Sequence, residues 1–160
     1  MRVNFSTADL CDAHGDVDIC EPMFVDFGGR ASFAGPVSTV QCFEDNSRVK
    51  EALNEPGEGR VLVVDGGGSR NCALLGDMLG QKAVDNGWVG VILYGCVRDT
   101  AVLGTLELGV RALAAMPRRS DRRGEGHRDV GVRFGGAAFA PGHWVYVDPD
   151  GILVAKRRLD

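Results

Sequence analysis

Residues 91–99, with the sequence VILYGCVRD, begin as an apolar run rich in β-branched side chains and end in a cation and a carboxylate. Such a run predicts a buried strand. Arg98 and Asp99 would then lie at a strand end, on the sheet edge where α/β proteins bind their ligands. A carboxylate there can bind a hard cation such as Mg²⁺, and an adjacent arginine can bind an oxyanion. The segment therefore predicts a metal-dependent site for a small, oxygen-rich acid.

Strand and helix patterns alternate around this segment. The run RVLVVD over residues 60–65 predicts a second buried strand, and apolar residues at helical spacing predict a helix from about Asn71 to Asn86. The sequence therefore predicts an α/β fold with a mixed sheet, formed by a single domain over residues 1–160. The further predicted elements are a helix over 8–13 capped by Ser6 or Thr7, a strand over 37–43, a helix over 48–54 capped by Asn46 or Ser47, a helix over 100–106, strands over 110–115 and 130–134, and a hairpin of 144–147 with 152–155.

Composition and charge restrict the class of protein. The 23 glycines come in small clusters, which is typical of tight turns in a folded chain and not of a low-complexity tract. The formal net charge of −4 argues against a nucleic-acid binder, so no direct nucleic-acid partner is expected.

Cysteine usage and the N-terminal segment predict a cytoplasmic protein. The five cysteines are odd in number, form no CxxC pair and lie in several cases within apolar runs, as expected of reduced, buried thiols. The first residues, MRVNFS, lack the apolar core of a signal peptide. No apolar stretch approaches the ~20 residues that span a bilayer, so no membrane association is expected.

Three segments have both a functional and a structural interpretation. Gly66–Ser69 could bind an anion through backbone N–H groups, but it matches neither GxGxxG nor a P-loop, and a plain strand-to-helix turn is favoured. Gly76 lies inside the predicted helix. Either the regular helix begins near this residue and leaves N–H groups for a carboxylate, or helices pack tightly across Gly76 and Gly80. The Arg98-Asp99 pair could also be a surface ion pair, or Asp99 could cap the helix that follows it.

Two polar runs favour structural interpretations. The run RRSDRR over residues 118–123 includes an acidic residue and precedes Glu125, so a solvated loop is favoured over an RNA or partner-docking patch. The run DPDG over residues 148–151 lacks the spaced ligands and terminal Glu of an EF-hand and predicts a hairpin turn. The three histidines are scattered and predict no zinc site.

Matching blocks along nearly the whole chain resemble a known family. The chain is similar to the family of the regulator of ribonuclease E activity A, whose relatives include the class II 4-hydroxy-4-methyl-2-oxoglutarate aldolases. The blocks are DLCD (9–12), EPMF (21–24), FGGR (27–30), CFEDN (42–46), VLVVDGGGS (61–69), LLGD (74–77), NGW (86–88), YGCVRD (94–99) and DGI (150–152).

The resemblance implies a fold, an assembly and a site. The fold would be the swivelling β/β/α type of RraA-like proteins, assembled as a homotrimeric ring with active sites between neighbouring subunits. In the aldolase branch, Arg98 would contact the keto oxygen and stabilise an enolate, and Asp99 would anchor a divalent cation, Mg²⁺ or Mn²⁺, largely through water. Asp77 matches an acidic position near that water shell. The resemblance also implies a substrate loop whose backbone amides bind a carboxylate, formed by Gly76, Asp77, Met78 and Leu79.

The implied activity is the cleavage of a small 2-oxo-dicarboxylic acid. Retro-aldol cleavage of 4-hydroxy-4-methyl-2-oxoglutarate to pyruvate, with oxaloacetate decarboxylation as a side activity, passes through a pyruvate enolate whose charge a metal and Arg98 can stabilise. Asp77 would orient the water that takes or returns a proton. Longer aldolases supply a C-terminal glutamate to the neighbouring site. This chain, which ends at Asp160, has no matching residue, so we expect oxaloacetate decarboxylation to survive better than aldol cleavage.

The alternative function is regulatory. Some relatives bind and inhibit ribonuclease E without binding RNA, and the same ring could do so. Asp99 favours the enzyme, because some regulator-type relatives have a non-acidic residue at this position.

Overall fold

The fold is built on a sheet of nine strands, in a computed structural model that describes residues 4–160. The first three residues, which begin the N-terminal segment considered above, lie outside the described residues. The described residues form four helices: α1 (Thr7–Ala13), α2 (Ser47–Leu53), α3 (Asp77–Asp85) and α4 (Thr100–Leu103). They form fourteen strands: β1 (Asp18–Ile19), β2 (Val25–Asp26), β3 (Phe33–Gln41), β4 (Val61–Asp65), β5 (Ala73–Leu75), β6 (Gly90–Tyr94), β7 (Cys96–Val97), β8 (Gly109–Ala112), β9 (Ala114–Ala115), β10 (His127–Arg128), β11 (Val132–Phe134), β12 (Ala137–Phe139), β13 (Trp144–Asp148) and β14 (Gly151–Ala155).

The main sheet is mixed, with a parallel centre. Its strand order is β1-β14-β13-β3-β4-β6-β8-β2, and β10 pairs with β3 off this path. Strands β3, β4, β6 and β8 run parallel, whereas β2, β13, β14 and β1 pair antiparallel at the two sides. The first four residues of β4 and of β6 are buried, as near-continuous apolar runs in a parallel sheet require.

Different layers cover the two faces of the main sheet. Alternate residues along a strand face opposite sides, and β4 accordingly sends Leu62 and Val64 into one core and Val61 and Val63 into another. The first core contains side chains of α2, α3 and α4. The second contains side chains of the two-stranded sheet β11-β12, together with residues of the main-sheet strands β13 and β14. The order of layers is therefore helix, central sheet, outer strands.

A second, smaller parallel sheet extends the first and positions the site. It has the order β5-β7-β9. A single residue, Gly95, separates β6 from β7, and Leu113 alone separates β8 from β9. The chain thus leaves the main sheet and enters the small one almost without a loop, which places the carboxyl ends of β5 and β7 side by side.

The predicted helix over residues 71–86 is wrong in its first half. Ala73–Leu75 are buried and pair with β7 as a strand, and regular helix begins only at Asp77. The spacing of the apolar residues is helical, but a buried three-residue run satisfies its backbone in the small sheet instead. Leu79 and Ala83, the later members of the pattern, are buried in α3 as expected.

The other predicted elements are confirmed with shifted bounds. Ser6 is the N-cap of α1 and accepts a hydrogen bond from the amide of Asp9. The turn between β13 and β14 is the expected hairpin, closed by the pair of Asp148 and Gly151. The helix expected over 100–106 ends at Leu103, and the strand expected over 110–115 is divided into β8 and β9.

The backbone amides of the turn Gly66–Ser69 donate hydrogen bonds to other groups of the protein. The N–H groups of Gly66 and Gly68 donate to the carbonyl of Tyr94, both over 3.1 Å, and that of Gly67 donates to the Asp65 carboxylate. These donors are therefore not presented to an anion. The structural interpretation holds, although the turn joins two strands and not a strand and a helix.

All five cysteines are free, and four of them are buried. Burial raises the pKa of the Cys20 and Cys42 thiols to about 12, so both stay protonated and unreactive at neutral pH.

Of the helices formed by the described residues, none has both the length and the apolar character needed to cross a membrane.

Candidate active site

A cavity of about 480 Å³ lies at the carboxyl ends of β5 and β7. It contains all six residues that the sequence singled out for the site. The remaining lining comes from the first and last residues of β5, from the residue before α2, and from the polar loop over 118–123. The lining residues are Asn46, Ala73, Leu75, Gly76, Asp77, Met78, Leu79, Arg98, Asp99, Arg119, Ser120, Asp121 and Arg122.

Asp99 directs its carboxylate at the start of α3. It has a left-handed backbone with φ of 57° and lies at the N-cap position of α4, yet its side chain makes no capping hydrogen bond there. Instead, its Oδ2 accepts a hydrogen bond from the backbone N–H of Asp77 over 3.0 Å. Asp99 is therefore the N-cap residue of α4, as the sequence allows, but it does not cap that helix with its side chain. The carboxylate stabilises the N-terminus of a different helix, where a negative charge is favourable.

Gly76 leaves room for this close approach of the Asp99 carboxylate. A Cβ atom at Gly76 would lie 2.6 Å from Oδ2 of Asp99, and no ordinary contact is that short. Gly76 is also the N-cap of α3, so the regular helix does begin there. Tight helix packing, the alternative explanation for the two glycines, holds for Gly80 alone. A Cβ added at Gly80 would lie 2.8 Å from Cδ2 of Leu103 on α4.

The start of α3 already binds carboxylates of the chain itself. The amide of Asp77 donates to Asp99, and the amide of Met78 donates to Oδ1 of Asp77 over 2.8 Å. Met78 projects into solvent beside the cavity with 79% of its surface exposed, whereas Leu79 is turned into the core. Backbone donors at a helix start form an anion site together with the helix dipole.

Arg98 lies half-buried next to Asp99. Its backbone N–H donates to the carbonyl of Leu75 over 2.9 Å, which fixes the end of β7 against the end of β5. Its Nη1 lies 3.4 Å from the carbonyl oxygen of Pro117. One guanidinium and two carboxylates thus line the same cavity, and a guanidinium can bind an oxyanion.

The sequence does not predict the part of the lining that comes from the polar loop. It favours a solvated loop for Arg119–Arg122, and three of these residues are exposed, but all four also line the cavity, and Ser120 is buried. Asn46 was considered only as a helix cap. It lies at the N-cap position of α2 without capping it, and its side chain contacts the loop instead. The loop offers no clear sequence signal for these contacts, because Asn46, to which Ser120 and Arg122 bond, is more than 70 positions away in the chain.

The donor atoms suit a hard cation held by few protein ligands. Each of Asp77 and Asp99 engages one oxygen in a backbone hydrogen bond, which leaves the second oxygen for other contacts. Within residues 4–160 no group of three or more His, Cys, Asp or Glu side chains could hold a metal ion. Mg²⁺ is commonly bound by one or two carboxylates with water and substrate completing its shell. The residues therefore fit that cation, but not a closed protein cage.

Comparison with known proteins identifies the family. A model of the RraA-like family, described as Aldolase/RraA, matches residues 7–154. The chain belongs to the RraA-like family. This confirms the resemblance based on the sequence blocks.

Individual RraA-like relatives carry different names. A protein of Laribacter hongkongensis named "Putative 4-hydroxy-4-methyl-2-oxoglutarate aldolase" is 57% identical over 158 residues, which is 98% of this chain and 99% of the relative. The RNA-processing inhibitor RraA from Thermus thermophilis superposes with a TM-score of 0.96 at 42% identity, covering 99% of this chain and 96% of that structure. A structure named as an S-adenosylmethionine:2-dimethylmenaquinone methyltransferase, from Geobacillus kaustophilus, gives a TM-score of 0.95 at 48% identity, covering 97% of each chain.

Proposed function

We propose that this chain is a divalent-metal-dependent carbon–carbon lyase that cleaves 4-hydroxy-4-methyl-2-oxoglutarate to pyruvate. Oxaloacetate decarboxylation would be its side activity. The observation that carries the proposal is the meeting of Arg98, Asp99 and the start of α3 around one cavity. Relatives more than 50% identical over nearly the whole chain carry the name of this aldolase, qualified as putative.

The substrate would bind by its 2-oxo acid end. Its carboxylate is expected at the start of α3, where it would replace the side chains of Asp99 and Asp77 as the acceptor of the Asp77 and Met78 amides. Its keto oxygen would then lie near the guanidinium of Arg98. A divalent cation held by Asp99, with Asp77 close by, would supply Lewis-acid stabilisation of the charge that develops on the substrate.

The chain's own residues account for the movement of charge and protons. The C4 hydroxyl loses its proton toward the carboxylate of Asp77, directly or through water. The C3–C4 bond breaks, one pyruvate leaves, and the electron pair moves toward the keto oxygen facing Arg98. Protonation of the remaining enolate at C3 gives the second pyruvate. With oxaloacetate, the same bond breaks with loss of CO₂ and leaves the same enolate.

We also propose that the enzyme works as a homotrimer with sites between subunits. Met78 at the edge of the cavity and Val102 on α4 are exposed apolar side chains that line the same neighbouring groove. Burial of this groove by a neighbouring subunit would remove apolar surface from water and close the site. Light scattering coupled to gel filtration should give three times the mass of the chain, and a monomer that retains full activity would contradict the proposal.

A coupled pyruvate assay tests the activity. We expect pyruvate from both substrates with Mg²⁺ or Mn²⁺ and none with EDTA, and Arg98→Ala should lower kcat by at least about 100-fold. Arg118→Ala is the matched control, since Arg118 is exposed and outside the cavity lining, and it should retain activity. Absence of pyruvate from both substrates with either metal would refute the lyase.

A regulatory role is a second candidate because a structure named as an RNA-processing inhibitor shares the whole fold. One fold can support unrelated functions. A pull-down against ribonuclease E at low salt tests it, and we expect binding at micromolar concentration if the role holds. No binding under those conditions would exclude it.

A further inference from the structure

The polar loop over residues 118–126, which we call the strap, lines the cavity but contains no apolar side chain. Its sequence is RRSDRRGEG, and Ser120 is its one buried residue. Four consecutive residues of the strap, 119–122, belong to the cavity lining. The burial of apolar side chains therefore contributes little to holding the strap in place, and its position depends on hydrogen bonds.

Most of these hydrogen bonds come from one short segment of the chain. All five residues of the sequence EDNSR, residues 44–48, bond to the strap, and we call them the anchor segment. In chain order, the bonds join the carbonyl of Glu44 to the amide of Asp121, the carboxylate of Asp45 to the amide of Arg123, the amide of Asn46 to the carbonyl of Asp121 and to Oγ of Ser120, the hydroxyl of Ser47 to the amide of Gly124, and the guanidinium of Arg48 to the carbonyls of Gly124 and Gly126.

The strap also contacts β5 of the small sheet. The carbonyl of Arg118 accepts a hydrogen bond from the amide of Ala73 over 2.7 Å, and Arg119 pairs with Ala73 as an isolated parallel bridge. A second parallel bridge joins Asp121 to Asp45 of the anchor segment. The strap therefore connects β5 with the anchor segment, in the way that an additional strand would.

The backbone of the strap contacts a buried charge. Asp45 is 0% exposed, and its carboxylate accepts from the amide of Arg123 over 2.6 Å and from the amide of Ser47 over 2.9 Å. If the strap opened, water could reach this carboxylate and the amides of the strap and replace the lost hydrogen bonds. Because little apolar surface would be exposed, opening should cost much less free energy than global unfolding.

Both ends of the strap are attached to sheets that can stay folded. The amide of Met116, just before the strap, donates to the carbonyl of Val97 in the small sheet. Just after the strap, β10 pairs with β3 of the main sheet. Gly124 and Gly126 have φ of 73° and 109°, a region that glycine adopts without strain, so the backbone can change direction there.

We propose that the strap is a gate of the cavity. It opens and closes as a unit while the sheets stay folded, and each opening removes Arg119–Arg122 from the cavity lining. Loops that move in this way commonly control the entry and release of ligands. The inference goes beyond the proposed lyase and does not depend on it, because it concerns the cavity whatever reaction takes place there.

Native-state hydrogen exchange, followed amide by amide at increasing urea concentration, tests the gate. We expect the amides of Asp121, Arg123 and Gly124 to exchange at least about 100-fold faster than those of β4, with a weak dependence on urea, because local opening exposes little surface. The amide of Ala73 should follow the strap and not β4, since its acceptor is the carbonyl of Arg118. Exchange of the strap together with β4 at every urea concentration would show that the strap opens only on global unfolding, and would overturn the inference.

A pair of arginine variants tests whether the anchor segment holds the gate closed. Arg48→Gln removes the bonds from Nε and Nη2 to two carbonyls of the strap, and the strap amides should exchange about tenfold faster relative to those of β4. Arg60→Gln is the matched control. Arg60 is also half-buried and also donates through Nε and Nη2 to two backbone carbonyls, but these belong to Gly57 and Pro56. It should leave the exchange of the strap unchanged, and an equal acceleration in both variants would overturn the inference.

A milder variant keeps the inference testable if Arg48→Gln does not fold. Ser47→Ala removes the hydroxyl that accepts from the amide of Gly124 over 2.9 Å. The strap amides should then exchange severalfold faster, with the amides of β4 unchanged. No change in the strap, or the same change in the strap and in β4, would overturn the inference.

Discussion

The carboxylate of Asp99 accepts a hydrogen bond from the backbone N–H of Asp77 over 3.0 Å and so joins the end of β7 to the start of α3. Asp99 reaches this donor from a left-handed backbone, which non-glycine residues rarely adopt and which Asn and Asp tolerate best. The side chain proposed to anchor the cation therefore also caps α3, the helix proposed to bind the substrate. Substitutions can separate the two roles.

Asp99→Asn should abolish metal-dependent pyruvate release and leave the fold intact. The amide oxygen can still accept from Asp77, and Asn tolerates the left-handed backbone, but the negative charge that attracts the cation is lost. We expect a loss of activity of at least about 100-fold in the pyruvate assay, with a melting temperature near that of the wild type.

Asp99→Ala should lose activity and also stability. It removes the cap and leaves an alanine in a left-handed conformation, which together cost about 2 kcal/mol in the free energy of unfolding. Full activity of the Asn variant with Mg²⁺ would remove Asp99 from the cation site.

Gly76→Ala should damage the site without unfolding the protein. The added Cβ would lie 2.6 Å from Oδ2 of Asp99, so the carboxylate must move away from the amide of Asp77. We expect kcat to fall at least about tenfold, because displacing a catalytic group by an ångström is costly. Gly15→Ala is the control, since nothing lies within 4 Å of a Cβ at Gly15, and it should behave as wild type.

The main strands could be predicted because short apolar runs in the sequence indicate their burial. Residues 61–64 and 91–94 are unbroken apolar runs, and a strand buried on both faces needs no other signal. The start of α3 could be stated only as one of two alternatives. The spacing of Cys72, Leu75 and Leu79 fits a helix. Only the pairing of β5 with β7 shows that Leu75 belongs to a strand and that the helix begins after it.

The site was predictable on one wall only. Arg98 and Asp99 follow a strand directly, so their place at a sheet edge follows from chain order. Arg122 reaches the cavity through its bond with Asn46, which is 76 positions away in the chain. No local pattern encodes such a contact, and the charge run around Arg122 is indistinguishable from a solvated loop in sequence.

The fully buried carboxylate of Asp45 should make the loop over residues 118–126 sensitive to acid. Burial opposes its ionisation, but hydrogen bonds from Ser47 and the amide of Arg123 outweigh burial and lower the pKa of the carboxyl group. A lowered pKa means that the ionised form stabilises the folded state. That contribution is complete above the unfolded value of about 3.9 and is lost as pH falls through the lower folded pKa.

Urea unfolding between about pH 6 and pH 3 tests this. Asp45→Asn should have a lower free energy of unfolding than the wild type near pH 6. The difference between the two free energies should become smaller as the pH falls toward 3. Asp12→Asn is the control at an exposed position, and it should follow the wild-type curve. A constant difference across the range would show that the charge of Asp45 is not responsible.

Tyr146→Phe should loosen the C-terminal segment without affecting the reaction. Tyr146 is fully buried, its hydroxyl donates to Oδ1 of Asp160 over 2.7 Å, and it accepts from the amide of Leu159 over 2.7 Å. Removing the hydroxyl leaves both groups without this partner, and we expect a loss of about 1–2 kcal/mol in the free energy of unfolding. Pyruvate release should stay at the wild-type rate, because Tyr146 does not line the cavity.

The stabilisation that Tyr146 provides should depend on pH in the alkaline range. Burial, the largest cause, raises the pKa of Tyr146 to about 12, so the neutral phenol stabilises the folded state. Its contribution is complete below the unfolded value of about 10 and is lost as pH rises through about 12. The stability difference between wild type and Tyr146→Phe should therefore shrink over that alkaline interval. Tyr94→Phe, at the chain's other tyrosine, is the control, and a matching loss there would show that the effect does not come from the C-terminal hydrogen bonds.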